Sequence, residues 1–271
     1  MAGVSSSSPP AEGLAAPLRG GWGRVAWRLP LLGTWVLAGL AWILVVHHRL
    51  PAGAQRAVIR LFARGVLLWC GVRLEPTLKG PTQPKALLPN PALLVANHVS
   101  WLDIYVAHAL EPVTFIAKAD IAKWPVVGAL VTASRTLYIE RGSRQAIRGV
   151  VQAVHARFDA GERVMFFPEG TTSDGLGLLP FHANLFGVVA NRPGLAVVPL
   201  TLQYWQGERP TTRAAYIGEM TLVSSMVQIM RSQGLVARPI VHPPIAGADE
   251  MDRRTLAAQA EAVIAQSMAT C

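Results

Sequence analysis

Between Leu29 and Val46 the chain reads LPLLGTWVLAGLAWILVV, eighteen residues without a charge. At 1.5 Å rise per residue this run makes a helix of about 27 Å, close to the roughly 30 Å hydrocarbon core of a bilayer. Such a rod must be buried in lipid or in protein, so the run reads as a transmembrane or membrane-lying helix. Trp27, Trp35 and Trp42 suit an interfacial position. A cleaved signal peptide fits poorly, because the run starts late and no small-residue cleavage pattern clearly succeeds it. Arg19, Arg24 and Arg28 precede the run, and Arg49, Arg56, Arg60 and Arg64 lie beyond it. The positive-inside rule therefore gives only a slight preference for a downstream domain on the cytoplasmic side, at the inner face of a membrane.

The rest of the composition agrees with a membrane setting. Hydrophobic residues make up 51% and charged residues only 15%, where soluble domains carry about 25% charged. A net charge of +9 draws such a chain to anionic head groups, so the expected partner is the bilayer. Nucleic acid is not expected, since no zinc-finger spacing or RNA-binding aromatic motif is present. Cys70 and Cys271 are too few for a disulfide framework, and neither belongs to a CxxC pair.

Composition shifts divide the chain into three. Residues 1–24 are rich in Ser, Pro, Gly and Ala and read as a disordered tail. Residues 25–70 read as membrane-anchoring helices. In their second half, QRAVIRLFARGVLLWCGV, Arg56, Arg60 and Arg64 recur every four residues, as expected of an amphipathic interfacial helix, with a soluble core helix bearing an arginine-lined face as the alternative. From residue 71 to 271 short apolar runs alternate with helical segments. The runs VRLEPT, ALLVAN, VTFIAK, TLYIER, RVMFFPE, LAVVPLTLQY, AAYIGE and ARPIVH read as strands. Ile147, Val150, Val151, Val154 and Phe158 stripe one helix, capped by Ser143 and ended by Gly161, and residues 251–269 form a last one. Continuous apolar strands between helices predict an α/β domain, its central sheet mostly parallel or mixed and flanked by helices.

Two polar stretches interrupt this pattern. NHVSWLDIY places His98 at the end of the strand ALLVAN, with Asp103 five residues on. A carboxylate on one ring nitrogen fixes the tautomer, leaving the other nitrogen to take a proton. The spacing alone is weak evidence, and two ordinary polar residues at a helix start would look the same. A metal site would need a third ligand; His108 and Asp120 are available but without a recognised spacing. A GxSxG nucleophile elbow is absent. The second stretch, VMFFPEGTTSDG, comes after another strand, and its Gly170 permits a turn with exposed N–H groups that suits an anion or a developing oxyanion.

Together the two stretches resemble the glycerolipid acyltransferase family, typified by bacterial 1-acylglycerol-3-phosphate acyltransferases and including lyso-ornithine lipid acyltransferases. Asn97, His98, Ser100 and Asp103 fill the family's NHxSxxD-like block, and RTLYIERG with Arg141 fills the second. Phe167 to Thr171 supply FPEGT, and VVPLTL with Pro199 supplies the fourth block. The resemblance runs over about residues 70 to 205. It implies transfer of a fatty acyl group from acyl-CoA or acyl-carrier protein to a lysolipid hydroxyl, with no metal and no tightly bound cofactor. It assigns His98 as general base and Asp103 as its support, with Arg141, Glu169, Gly170, Thr171 and Lys118 around the substrate. Thr172 stands where the family commonly has arginine, which leaves Arg141, Lys118 and Arg135 as candidate phosphate partners. The acceptor the resemblance implies first is 1-acylglycerol-3-phosphate, the family's commonest, with lyso-ornithine lipid as the alternative. A non-catalytic membrane lipid carrier is a more distant alternative, and would need no His98 beside Asp103.

Overall fold

Helix α1 runs from Trp22 to Val45, so it begins seven residues before the uncharged run and takes in the last residues assigned to the tail. Pro30 lies within it, and only Val25 and Leu32 are buried. Trp22, Trp27, Leu37, Leu44 and Val45 remain exposed. The structure is a computed structural model that describes residues 20–46, 49–78, 88–123, 128, 136–139, 144–189 and 192–270. Residues 1–19 of the expected tail, the cap Ser143 and Cys271 lie outside the described residues.

The first turns of α1 are tied to the rest of the protein through helix-end chemistry. The last carbonyls of a helix have no partner within it and carry its negative end. At the end of the helix Leu222–Arg231 these carbonyls are met by arginines. Arg24 donates to Arg231 O at 2.7 and 3.1 Å, and Arg28 to Met230 O at 2.6 Å and Ser232 O at 3.2 Å. Farther along, Trp35 Nε1 donates to Phe62 O at 3.0 Å, and the Trp35 and Phe62 rings stack at 6.3 Å. Phe62 belongs to α2, Ala52–Cys70, so α1 and α2 form a helical pair.

Two arginines of the α2 stripe meet protein. Arg60 bonds Glu111 at 2.6 Å and Arg64 bonds Ala109 O at 3.3 Å, both at the end of the helix Asp103–Leu110. Leu61 and Leu68 are each 61% exposed instead. Two of the cations thus hold protein, while leucines face outward.

Among the described residues nine strands make one sheet: β1 Val72–Leu74, β2 Thr77–Leu78, β3 Ala92–Ala96, β4 Thr114–Lys118, β5 Leu137–Ile139, β6 Arg163–Phe166, β7 Ala196–Gln206, β8 Arg209–Pro210 and β9 Leu235–Val241. The order is β1-β9-β7-β3-β6-β4-β5, with β2 beside β9 and β8 beside β7. Neighbours are parallel from β7 through β3, β6 and β4 to β5, while β9 and β8 run antiparallel to β7. The sheet is therefore mixed. Helices α3 (Asp103–Leu110), α4 (Arg144–Asp159), α5 (Leu222–Arg231) and α6 (Arg253–Ala269) complete the fold.

All five residues of β3 are buried because both sheet faces are covered. Its Ala92, Leu94 and Ala96 belong to the core beneath α1, α2, α3 and α5, and its Leu93 and Val95 to the core beneath α4 and α6. The stripe expected on α4 faces the second core through Val150, Val154 and Phe158, and α6 buries Leu256 and Ala260 there. Ile264 is buried too, while Val263 is half-buried. The strand expected at AAYIGE does not form. Thr212–Ala214 is a 3-10 turn, and β9 already pairs with β7 along the edge such a strand would need. Ala214 and Ala215 are buried in the helix-side core rather than by a ladder, and Tyr216 N donates to Val99 O at 2.9 Å.

Gly71 closes α2 in the left-handed region, φ +78°, with its N–H on the carbonyls of Leu67 and Leu68. A Cβ there would lie 2.2 Å from the Arg28 guanidinium carbon. Gly71→Ala is thus expected to cost at least about 1 kcal/mol, lowering Tm by about 2–4 °C. Gly149→Ala, inside α4 with open space around it, should leave Tm unchanged or raise it. Thermal unfolding of both variants checks this, and equal effects would contradict the packing of α1 on the end of α2.

Candidate active site

The site is built where the chain leaves β3. The β3–β7 ladder ends at Ala96 opposite Leu200. Asn97 continues it with its side chain: Nδ2 donates to Leu202 O at 2.9 Å and Leu202 N donates to Oδ1 at 2.7 Å. That clasp lets the backbone turn away from the sheet without stranding a buried polar group. The turn delivers His98 to the carboxyl ends of the parallel strands, where open α/β sheets place their sites.

Asp103 opens α3 and organises the turn. Its Oδ2 accepts from Val99 N at 2.7 Å, Ser100 N at 2.9 Å and the His98 Nδ1 at 2.8 Å. Its Oδ1 accepts from the Tyr204 hydroxyl at 2.7 Å. The carboxylate is 0% exposed, whereas the His98 side chain is 20% exposed. Because a carboxylate only accepts, Nδ1 carries the proton and Nε2 keeps its lone pair. An imidazole oriented in this way can chemically take a proton at Nε2. Burial pushes the Tyr204 phenol well above its ordinary value, and the Asp103 charge pushes the same way, so Tyr204 stays a donor.

The second stretch holds the same loop from the other side. Glu169 lies just past β6 and is buried. Its Oε1 accepts from His98 N at 2.6 Å and its Oε2 from Leu179 N at 3.1 Å. Burial pushes its carboxyl above the usual range, against the pull of those two N–H groups. Glu169 therefore anchors the backbone of His98. Ser173 donates its N–H at 2.8 Å and its hydroxyl at 3.2 Å to His98 O. The His98 ring lies flat on Phe167, 3.9 Å between centroids. Gly170 has φ +68° and is exposed beside His182, and Thr171 is exposed next to it. Thr172, in the position where arginine was expected, bonds its hydroxyl to Tyr216 O.

The other sequence candidates fall differently. Lys118 is the last residue of β4; Arg141 and Arg135 lie outside the described residues. His108, considered as a metal ligand, is at the far end of α3, edge-on to Phe115. Burial pulls it down to about 4, and its Nδ1 accepts from Val113 N at 3.4 Å. Asp120 is exposed, and no three metal-ligating side chains converge among the described residues. Sequence reasoning missed Tyr204, Phe167 as a stacking partner and Ser173. For Tyr204 a partial signal existed: a tyrosine in a strand read as buried needs a partner for its hydroxyl.

If Glu169 anchors His98, Glu169→Ala leaves two N–H groups without their acceptor, at a cost of about 1–3 kcal/mol. Amide exchange in residues 97–103 should quicken in Glu169→Ala and partly recover in Glu169→Gln, which keeps one acceptor. Exchange equal to the parent's in the alanine variant would contradict the anchor.

Comparisons with known proteins place this geometry in context. The profile of the Acyltransferase family matches residues 81–203. The 1-acyl-sn-glycerol-3-phosphate acyltransferase of Neisseria meningitidis serogroup B is 40% identical over 190 residues, covering 69% of this chain and 71% of that protein. The lyso-ornithine lipid O-acyltransferase of Pseudomonas aeruginosa is 35% identical over 238 residues, covering 86% and 89%. The crystal structure of the 1-acyl-sn-glycerophosphate acyltransferase PlsC from Thermotoga maritima superposes with a TM-score of 0.60 at 20% identity, over 91% of this chain and 97% of that one.

Proposed function

The chain belongs to the acyltransferase family, and on that premise we propose that it acylates a lysolipid hydroxyl with His98 as general base. The donor is a thioester, acyl-CoA or acyl-carrier protein, and the first acceptor is 1-acylglycerol-3-phosphate. The observation that carries this reading is the His98–Asp103 bond of 2.8 Å, which leaves Nε2 as the proton acceptor.

The acceptor hydroxyl gives its proton to Nε2 as its oxygen attacks the thioester carbonyl carbon, forming the C–O bond. The resulting imidazolium is stabilised by Asp103. Collapse of the tetrahedral intermediate breaks the C–S bond, and the leaving sulfur takes the proton back from Nε2. The products are the ester and the free thiol, so atoms balance with no acyl-enzyme, metal or cofactor in the scheme. Gly170 and Thr171 border the acceptor, Glu169 keeps His98 in place, and Arg141 and Lys118 supply cations for an anionic head group.

A second acceptor, lyso-ornithine lipid, is favoured by one specific observation. Thr172 uses its hydroxyl on Tyr216 O and provides no cation for a phosphate. The Pseudomonas aeruginosa relative named for that acceptor also matches most of this chain.

His98→Ala should lower kcat/KM about 10²–10⁴-fold for the preferred acceptor while leaving thermal unfolding unchanged. Both lysolipids should be assayed with both thioester donors. Near-parent turnover in His98→Ala would overturn the base, and faster turnover of lyso-ornithine lipid than of 1-acylglycerol-3-phosphate would select the second acceptor.

The exposed apolar side of α1 faces lipid in this reading. Because Arg24 and Arg28 bind the end of α5 and Trp35 packs on α2, α1 lies in one leaflet beside the active site at the cytoplasmic face. Single cysteines at Val45, at the far end of α1, and Glu250, both exposed, should react with an impermeant maleimide from the same, cytoplasmic, side. Labelling from opposite sides would show that α1 crosses.

A further inference from the structure

Tyr204 has no assigned role, yet it holds one of the two oxygens of the buried carboxylate behind His98. The other oxygen, Oδ2, is used three times by the loop itself, through Val99 N, Ser100 N and His98 Nδ1. These bonds fix the position of Oδ2 but leave the carboxylate plane free to swing about it. The Tyr204 hydroxyl, 2.7 Å from Oδ1, is the contact outside the loop that fixes the plane. It comes from the strand the Asn97 side chain already clasps at Leu202, two residues earlier and on the same sheet face. The phenol is 3% exposed, so water is a poor substitute for it.

We propose that Tyr204 is a positioning residue for the acyl-transfer reaction, setting both the orientation and the basicity of Asp103 and so of His98. This rests on His98 being the base. The hydroxyl draws charge from Oδ1, which weakens the pull of the carboxylate on the proton shared with His98. Without it the imidazolium is favoured, the base is neutral only at higher pH, and the acid limb of kcat/KM moves up. A stronger donor moves that limb down.

The other titratable groups near this unit do not reproduce the effect. Glu169 meets His98 through its backbone N–H, and His182 lies beyond Gly170. Cys70, at the end of α2, and Tyr105, on α3, are buried and pushed up to about 12, so both stay neutral across the assay range.

The test uses the full-length chain in lipid vesicles, with Tyr204→Phe, Tyr204 replaced by 3-fluorotyrosine, and His98→Ala. In Tyr204→Phe, kcat should fall about 10-fold with KM within about twofold, a loss in keeping with one hydrogen bond to a charged group. Its acid limb should rise by about half a pH unit or more. The fluorotyrosine variant keeps the shape, donates more strongly, and should shift the limb downward; it decides the matter if Tyr204→Phe does not fold. A parent kcat in Tyr204→Phe, or acid limbs unmoved in both variants, would overturn this inference while an inactive His98→Ala leaves the base intact. An active His98→Ala would instead remove the base, and this inference with it.

Discussion

A carboxylate with no exposure to water must be surrounded by donors or lose its charge. Asp103 meets that demand with two backbone N–H groups, an imidazole and a phenol, and this arrangement dictates the local structure. The loop from Asn97 to Leu102 must curl so that its amides point at Oδ2. Its own carbonyls then turn outward, to Ser173 and to Tyr216. The segments carrying those two residues are joined in turn by Thr172 on Tyr216 O. One buried charge thus gathers the end of β3, the loop after β6 and the chain before α5 around a single imidazole.

The sheet supplies the rigidity this needs. His98 leaves a strand buried on both faces, between two parallel neighbours, and Phe167 beneath its ring is the first residue past β6. A base must stay within hydrogen-bond reach of its substrate, and loops hung on central strands move less than loops on an edge. The helical pair α1 and α2 is fixed to this frame by arginines on carbonyls and by Arg60 on Glu111. A lipid carrier would need an apolar groove but no carboxylate-oriented imidazole, which is why the geometry favours an enzyme.

Much of this was legible in the sequence, for reasons that can be stated. β3, β6 after Arg163 and the first half of β7 are apolar runs because both their faces are buried, and the stripes of α4 and α6 keep the helical period. AAYIGE misled because alanines, Tyr216 and Ile217 look like a strand whether they are buried by a ladder or by helices. The arginines of α2 marked a face, but a four-residue spacing does not say what the face meets. In the site, His98, Asp103 and Glu169 lay in motifs, but only the fold shows that Glu169 grips the backbone of His98. For Tyr204 the need of a partner was legible but the partner was not, since its bond to Asp103 spans 101 positions and depends on strand order.

The central claim is that Asp103 holds His98 with its proton on Nδ1 and a free lone pair on Nε2. The most direct measurement is ¹⁵N NMR of the histidine-labelled protein in lipid nanodiscs, above the pH at which the ring titrates. The chain has 7 histidines, and a His98→Gln spectrum identifies the signal of His98. The account predicts the Nδ1–H tautomer for His98, and loss of that preference in Asp103→Asn. A His98 in the Nε2–H tautomer, or one whose tautomer ignores Asp103→Asn, would contradict it.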